Sequence, residues 1–243
     1  MTTRILGLLW LVWLFAVLPV TSARGRRRLD RHRRSRLRLY AFAAASLLGL
    51  GAVTLALDLL GDPFGLRPLE TPLPAARLAA WTVITYLGLA FSWLGRLYLR
   101  KVRGHAGALK SSVLVPERWK EKFAFAGLVL TAGVIEEYVY RGYCFGLLGS
   151  VTGSTPLAAF LATAGFALGH GYQGRKAVLR TAVGGAILLV PVLATGALLP
   201  SILAHVAMDL TQGFRGRRIL ATLGLEPREE QPAEADDTIV PGG

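Results

Sequence analysis

One cysteine occurs in the 243 residues, Cys144. An intrachain disulfide is therefore excluded, and so is a zinc site built on thiolates. This thiol lies three residues after Arg141 in an apolar stretch, where a small buried side chain is expected rather than a nucleophile. Charge is scarce too. Asp, Glu, Lys and Arg make up 18% of the chain against 53% hydrophobic residues, and the mean hydropathy is +0.46. A soluble domain of this length carries more charge and shorter apolar runs. Acidic residues are the scarcer sign, 15 against 28 basic, for a net charge of +13. Such a balance raises nucleic acid as a partner. However, no aromatic residue interleaves with the run Arg24, Arg26, Arg27, Arg28, Arg31, Arg33, Arg34, Arg36 and Arg38, as a base-stacking surface requires. No nucleic-acid partner is expected. The chain contains no internal repeat.

What is present is a series of long apolar segments. A span needs roughly 20 mostly apolar residues, and seven candidates stand at about 4–20, 39–60, 75–99, 123–148, 156–172, 181–199 and 200–214. The expected fold is all-α, a polytopic membrane bundle of about seven transmembrane helices, with the lipid bilayer as its surroundings. The first segment is expected to be an uncleaved span, because only Arg4 precedes it and the arginine block follows it, the reverse of a signal peptide's charge order. Basic loops mark the cytoplasmic side. The arginine run, the loop 100–122 and the loop with Arg175, Lys176 and Arg180 then lie inside, as do Arg215, Arg217 and Arg218 at the end of the last span. The proline-bearing loop 61–74 lies outside. The arginine run beside a span also attracts anionic headgroups. After about Leu223 the acids Glu226, Glu229, Glu230, Glu234, Asp236 and Asp237 mix with prolines, which reads as a disordered, solvated tail. The expected organisation is a first span over 1–22, an Arg-rich cytoplasmic loop over 23–38, two spans and a basic loop over 39–122, a core over 123–214 and a cytoplasmic acidic tail over 215–243.

Three short motifs put ionisable groups inside these apolar segments: Glu136-Glu137-x-x-x-Arg141, Phe166-x-x-x-His170 and His205-x-x-x-Asp209. Charge at membrane depth is costly and usually faces a polar interior, so these residues are functional candidates. On a helix Glu137 and Arg141 share a face and pair, while Glu136 is rotated by about 100° and points elsewhere. In an apolar site the unpaired carboxylate suits a general base. Phe166, one turn before His170, can pack on the imidazole. Asp209, one turn after His205, can accept from one ring nitrogen and leave the other free to act. A structural network between helices would use the same residues. His32 and His105 lie in basic loops and are not candidates. Two histidines and a carboxylate could also bind zinc, but the His-Glu-x-x-His signature of zinc proteases is absent, and no cofactor is expected. A straight thread through ideal helices sets Glu136, His170 and His205 at different depths, so the motifs converge only if helix boundaries shift or helices tilt.

The three motifs, in this order and spacing over about 123–214, resemble the pattern of the CPBP (Abi) family. These are intramembrane glutamic proteases related to the CAAX prenyl endopeptidases and to proteins of bacteriocin processing and immunity. The run Leu199-Pro200-Ser201-Ile202-Leu203-Ala204-His205 is similar to the family too. The resemblance implies a metal-free endopeptidase acting on a peptide or protein substrate in or at the membrane. Glu136 would activate a water, His170 would hold it, and His205 would stabilise the oxyanion. Glu137 and Arg141 would fix the first helix. Many members carry Asn where this chain has Asp209, and an ionised aspartate cannot donate a hydrogen bond. That residue would then either orient His205 or have to be protonated. The family's distribution and the Arg-, Ala-, Gly- and Leu-rich composition point to a bacterial inner membrane. A non-catalytic scaffold or immunity protein is the alternative from another class, and a proton-coupled transporter the third.

Overall fold

In the computed structural model, residues 2–21, 36–61, 73–103 and 115–225 are described. They form seven helical rods and no strand. These are α1 (Thr2–Thr21), α2 (Arg36–Leu60), α3 (Ala75–Val102), α4 (Trp119–Thr152), α5 (Thr155–Gly169), α6 (Arg175–Thr195) and α7 (Leu199–Thr222). Five of them, α1, α2, α3, α4 and α6, are long and apolar enough to cross a membrane, and α5 is a shorter apolar helix. The chain is an all-α, multi-pass membrane protein. The seven expected segments each coincide with one rod. The ends differ by a few residues: most helices extend past the apolar stretch that marks them in sequence, while α5 stops at Gly169 and α6 at Thr195, short of the expected 172 and 199. In α7 the helix runs on through Arg215, Arg217 and Arg218. The arginines from Arg24 to Arg34, most of the two long loops, and the acidic tail from residue 226 lie outside the described residues.

The central rod is α4, which packs against α2, α5 and α7, while α3 and α6 close over α7 and α1 leans on α2 and α5. Gly153 (φ 63°) ends α4 and Gly196 (φ 72°) ends α6. A left-handed residue closes a helix at little cost only when it is glycine, so each sharp reversal falls where the sequence supplies one. Ser154 then caps α5, with Pro156 in its first turn, the usual grammar of a helix start. At Gly165 of α5 the Phe15 ring of α1 occupies the space a Cβ would take, which is how α1 reaches the core. That core joins Leu14, Tyr140, Tyr143, Leu147 and Phe166. Cys144 is buried within it as a free thiol.

Polar links tie the rods at the end where α2 and α4 begin. Arg36 meets Glu117 at 2.8 Å and Glu121 at 3.1 Å, and Arg217 of α7 meets Glu117 at 2.8 Å. The two guanidiniums hold the Glu117 carboxyl down to about 2, from an ordinary 4.5. A depressed carboxyl contributes stability above its unfolded value and loses it as pH falls toward the folded one. The melting temperature of wild type minus that of Glu117→Gln is therefore expected to be small and constant from pH 6 to 8. It should shrink below about pH 4.5, vanish near pH 2, and diminish in high salt, since the group is solvent-exposed. A difference that grew on acidification would contradict this cluster.

Candidate active site

The middle of α4 departs from α-helical geometry. After Trp119–Glu137, residues Tyr138–Cys144 form wide π-helical turns, and α-helix resumes over Phe145–Thr152. Such turns are rare and recur at functional sites. All seven of their residues are buried. They begin directly after the Glu136-Glu137 pair and contain Arg141, so the sequence motif and the irregular backbone coincide.

Arg141 Nη1 donates to Glu137 Oε1 at 3.1 Å, the pairing expected from spacing, and Nη2 donates to the Gly185 carbonyl of α6 at 3.1 Å. Both side chains are at most 2% exposed. The guanidinium also lies over the Phe166 ring, 4.1 Å from its centre, a favourable seat for a buried cation. At Gly185 a Cβ would come within 3.0 Å of both Arg141 Nη2 and Phe166, so α6 approaches the site this closely only through a glycine.

The three motifs meet. Glu136, 16% exposed at its side chain, sets Oε1 4.0 Å from His170 Nε2 and Oε2 4.0 Å from His205 Nε2. Glu136 lies as many residues before Gly153 as His170 lies after it, so the α4–α5 hairpin brings the two level. The difference in depth that ideal helices implied is removed in this way. His170 Nδ1 donates to the Phe166 carbonyl at 2.9 Å, which leaves Nε2 with its lone pair toward Glu136 when the ring is neutral. The Phe166 ring packs edge-on to His170, with centres 4.8 Å apart, and is 6.4 Å from His205. It therefore touches both histidines and the arginine.

His205 differs from expectation in its partners. Its Nδ1 donates to Glu137 Oε1 at 2.9 Å, whereas Asp209 Oδ2 stands 3.6 Å from Nε2, the nitrogen that also faces Glu136. The closer hydrogen bond, and hence the orienting role, goes to a residue on another helix. Sequence spacing exposes neighbours along one helix, and a bond between α4 and α7 leaves no mark in it. Glu137 Oε1 thus accepts from both Arg141 and His205, while Oε2 is buried with no hydrogen-bond partner. Ser201, one turn before His205, donates to the Leu188 carbonyl of α6 at 2.7 Å and steadies this start of α7. Among the described residues, no group of three or more His, Cys, Asp or Glu is arranged to hold a metal ion.

Comparison with known proteins bears on the same stretch. Residues 118–211 match the family model described as type II CAAX prenyl endopeptidase Rce1-like. The resemblance read from the three motifs is thus found again by an independent comparison. No curated protein and no solved structure matches the chain. The Rce1-like segment contains α4, α5, α6 and the part of α7 that bears His205 and Asp209, and so every motif residue. It leaves α1, α2 and α3 outside.

Asp209 is the most exposed of the residues in the three motifs, its side chain 40% accessible. A partner that stands beyond hydrogen-bond distance and in contact with solvent is expected to be replaceable. Asp209→Asn should retain peptide cleavage within roughly threefold of wild type, well under the loss expected for a group taking part in proton transfer. A loss of 100-fold or more would assign the carboxylate a direct part.

Proposed function

We propose that this protein is an intramembrane endopeptidase that hydrolyses a peptide bond of a membrane-associated substrate with a water activated by Glu136. One observation carries the reading: the two oxygens of a single, partly accessible carboxylate each lie 4.0 Å from a histidine Nε2, on two different helices. That separation is too long for a direct hydrogen bond and leaves room for a bridging water. The Rce1-like match over 118–211 supports the same class of chemistry.

In the proposed sequence, His170 Nε2 accepts a hydrogen bond from the water and orients it. Its own Nδ1–H is committed to the Phe166 carbonyl. Glu136 takes the second proton of that water as the oxygen attacks the scissile carbonyl carbon. The oxyanion that forms is met by His205, whose Nε2 carries a proton when the ring is charged, and donors aimed at developing charge are worth most in a water-poor site. The carboxylates of Glu137 and Asp209 flank that ring. Collapse of the intermediate breaks the C–N bond, and the proton held by Glu136 passes to the departing amine. The proton route closes on these side chains without a further group. Arg141 neutralises Glu137 and holds the wide turns in register. The proposed location is a bacterial inner membrane.

The test is profiling of membrane and secreted N- and C-terminal peptides in the native cell, wild type against Glu136→Gln at equal protein level. A small set of termini lost only in the variant supports the proposal and names the substrate. Unchanged termini with an intact phenotype overturn it in favour of a scaffold.

A further inference from the structure

Among the described residues, one buried carboxylate lies outside all three motifs. Asp58, near the end of α2, is 7% exposed, and its Oδ2 accepts a hydrogen bond from the Tyr138 hydroxyl at 2.8 Å. Tyr138 is itself 5% exposed and is the first residue of the wide turns, directly after Glu136 and Glu137. A carboxylate inside an apolar helix is expensive to keep and needs a partner. Here the partner sits on the catalytic helix at the point where its backbone changes geometry. Neighbouring contacts make this a firm seam. The side chain of Ile135 fills the space beside Gly51 of α2, and Trp10 of α1 donates to Thr54 of α2 at 3.1 Å, one turn before Asp58.

We infer that Asp58 is a positioning residue for the glutamate pair, supplied by a helix outside the Rce1-like segment. Wide turns hold their shape through i→i+5 hydrogen bonds that an ordinary sequence abandons for the α-helical pattern, so they need side-chain anchors. Two are visible. Arg141 ties the middle of the turns to α6 through the Gly185 carbonyl, and Tyr138 ties their start to α2 through Asp58. Releasing the second lets Tyr138 slip toward the α-helical register. That rotates Glu136 and Glu137 together, and the two 4.0 Å separations from the histidines change in opposite senses. The inference rests on the proposed peptidase reading for its effect on rate, but not for its effect on the backbone.

Two readouts keep these apart, both on the full-length purified protein in detergent micelles. The first is hydrogen–deuterium exchange. Asp58→Ala and Tyr138→Phe should each raise exchange of peptides covering 136–144 several-fold, with α6 peptides unchanged. The second uses a synthetic peptide spanning a cleavage site identified by the termini lost in Glu136→Gln cells. Each variant should lower kcat roughly 10- to 100-fold with KM within about twofold, as misplacement of a reacting group does. The double variant should lose no more than the worse single one, because both remove the same bond. Tyr138→Phe deletes only a hydroxyl and serves if Asp58→Ala does not fold. Unchanged exchange over 136–144 in Tyr138→Phe overturns the anchor. Raised exchange with unchanged kcat overturns positioning while leaving the anchor. If no termini depend on Glu136, the peptidase reading fails and the exchange result still decides the anchor.

Discussion

Glu136→Gln is expected to lower peptide cleavage by roughly 10²- to 10⁴-fold, the span associated with loss of a general base, while leaving the bundle intact. The amide is isosteric, and Glu136 makes no direct hydrogen bond to either histidine, since both separations are 4.0 Å. Nothing in the buried network depends on its charge: the arginine is neutralised by Glu137, and His205 Nδ1 is held by Glu137 as well. A large fall in rate with an unchanged melting temperature is therefore the signature of a group that acts on water. His170→Ala and His205→Ala should also abolish detectable turnover, and loss of an oxyanion donor alone costs about 10²- to 10³-fold. Near-normal rates in Glu136→Gln would remove the proposed base outright.

Arg141→Ala is expected to be the most destabilising single change in the molecule, by roughly 3–5 kcal/mol, the cost of leaving one half of a buried ion pair behind. Three groups lose their partner at once. Glu137, with no exposed side-chain surface, keeps a carboxylate whose Oε2 is already without a hydrogen bond. The Gly185 carbonyl loses its donor, and the Phe166 ring loses the cation over its face. The measurement is equilibrium unfolding of the full chain in micelles. Removing both charges together, as in Glu137→Gln with Arg141→Met, should recover much of the loss, since no unpaired charge is then left buried and the amide oxygen can still accept from His205 Nδ1. A wild-type unfolding midpoint for Arg141→Ala would mean that the pair contributes nothing to the fold.

Much of this was legible before any coordinates. Hydropathy located all seven rods, the five that are long and apolar enough to span and the two that are not. The Glu137–Arg141 contact followed from their spacing of four, and the approach of Phe166 to His170 from theirs. Other features were not readable. The wide turns over Tyr138–Cys144 have no compositional mark, as the same residues would serve an α-helix. Glu137 was seen as the partner of Arg141 alone, since its bond to His205 crosses from α4 to α7. Asp58 was passed over although it obeys the very rule that flagged the motifs, an acid inside an apolar run. The ionisable residue next to it in sequence, Asp62, is another acid and cannot serve as its ion-pair partner, and its tyrosine lies 80 residues away.

Gly153 stands midway in sequence between Glu136 and His170, and that fact restricts how this protein can change. Length drifts freely in loops that join independent parts. Here the turn is the fixed end of a measuring rod whose two marks must coincide. One residue added to either arm alone would advance its mark by about 1.5 Å and swing it through about 100°, carrying a reacting group out of reach. Insertions and deletions between residues 137 and 169 are therefore tolerable only when matched between the arms and about two whole turns long, roughly seven residues each, so that level and direction both return, whereas the stretch around Gly174, beyond both marks, is under no such rule.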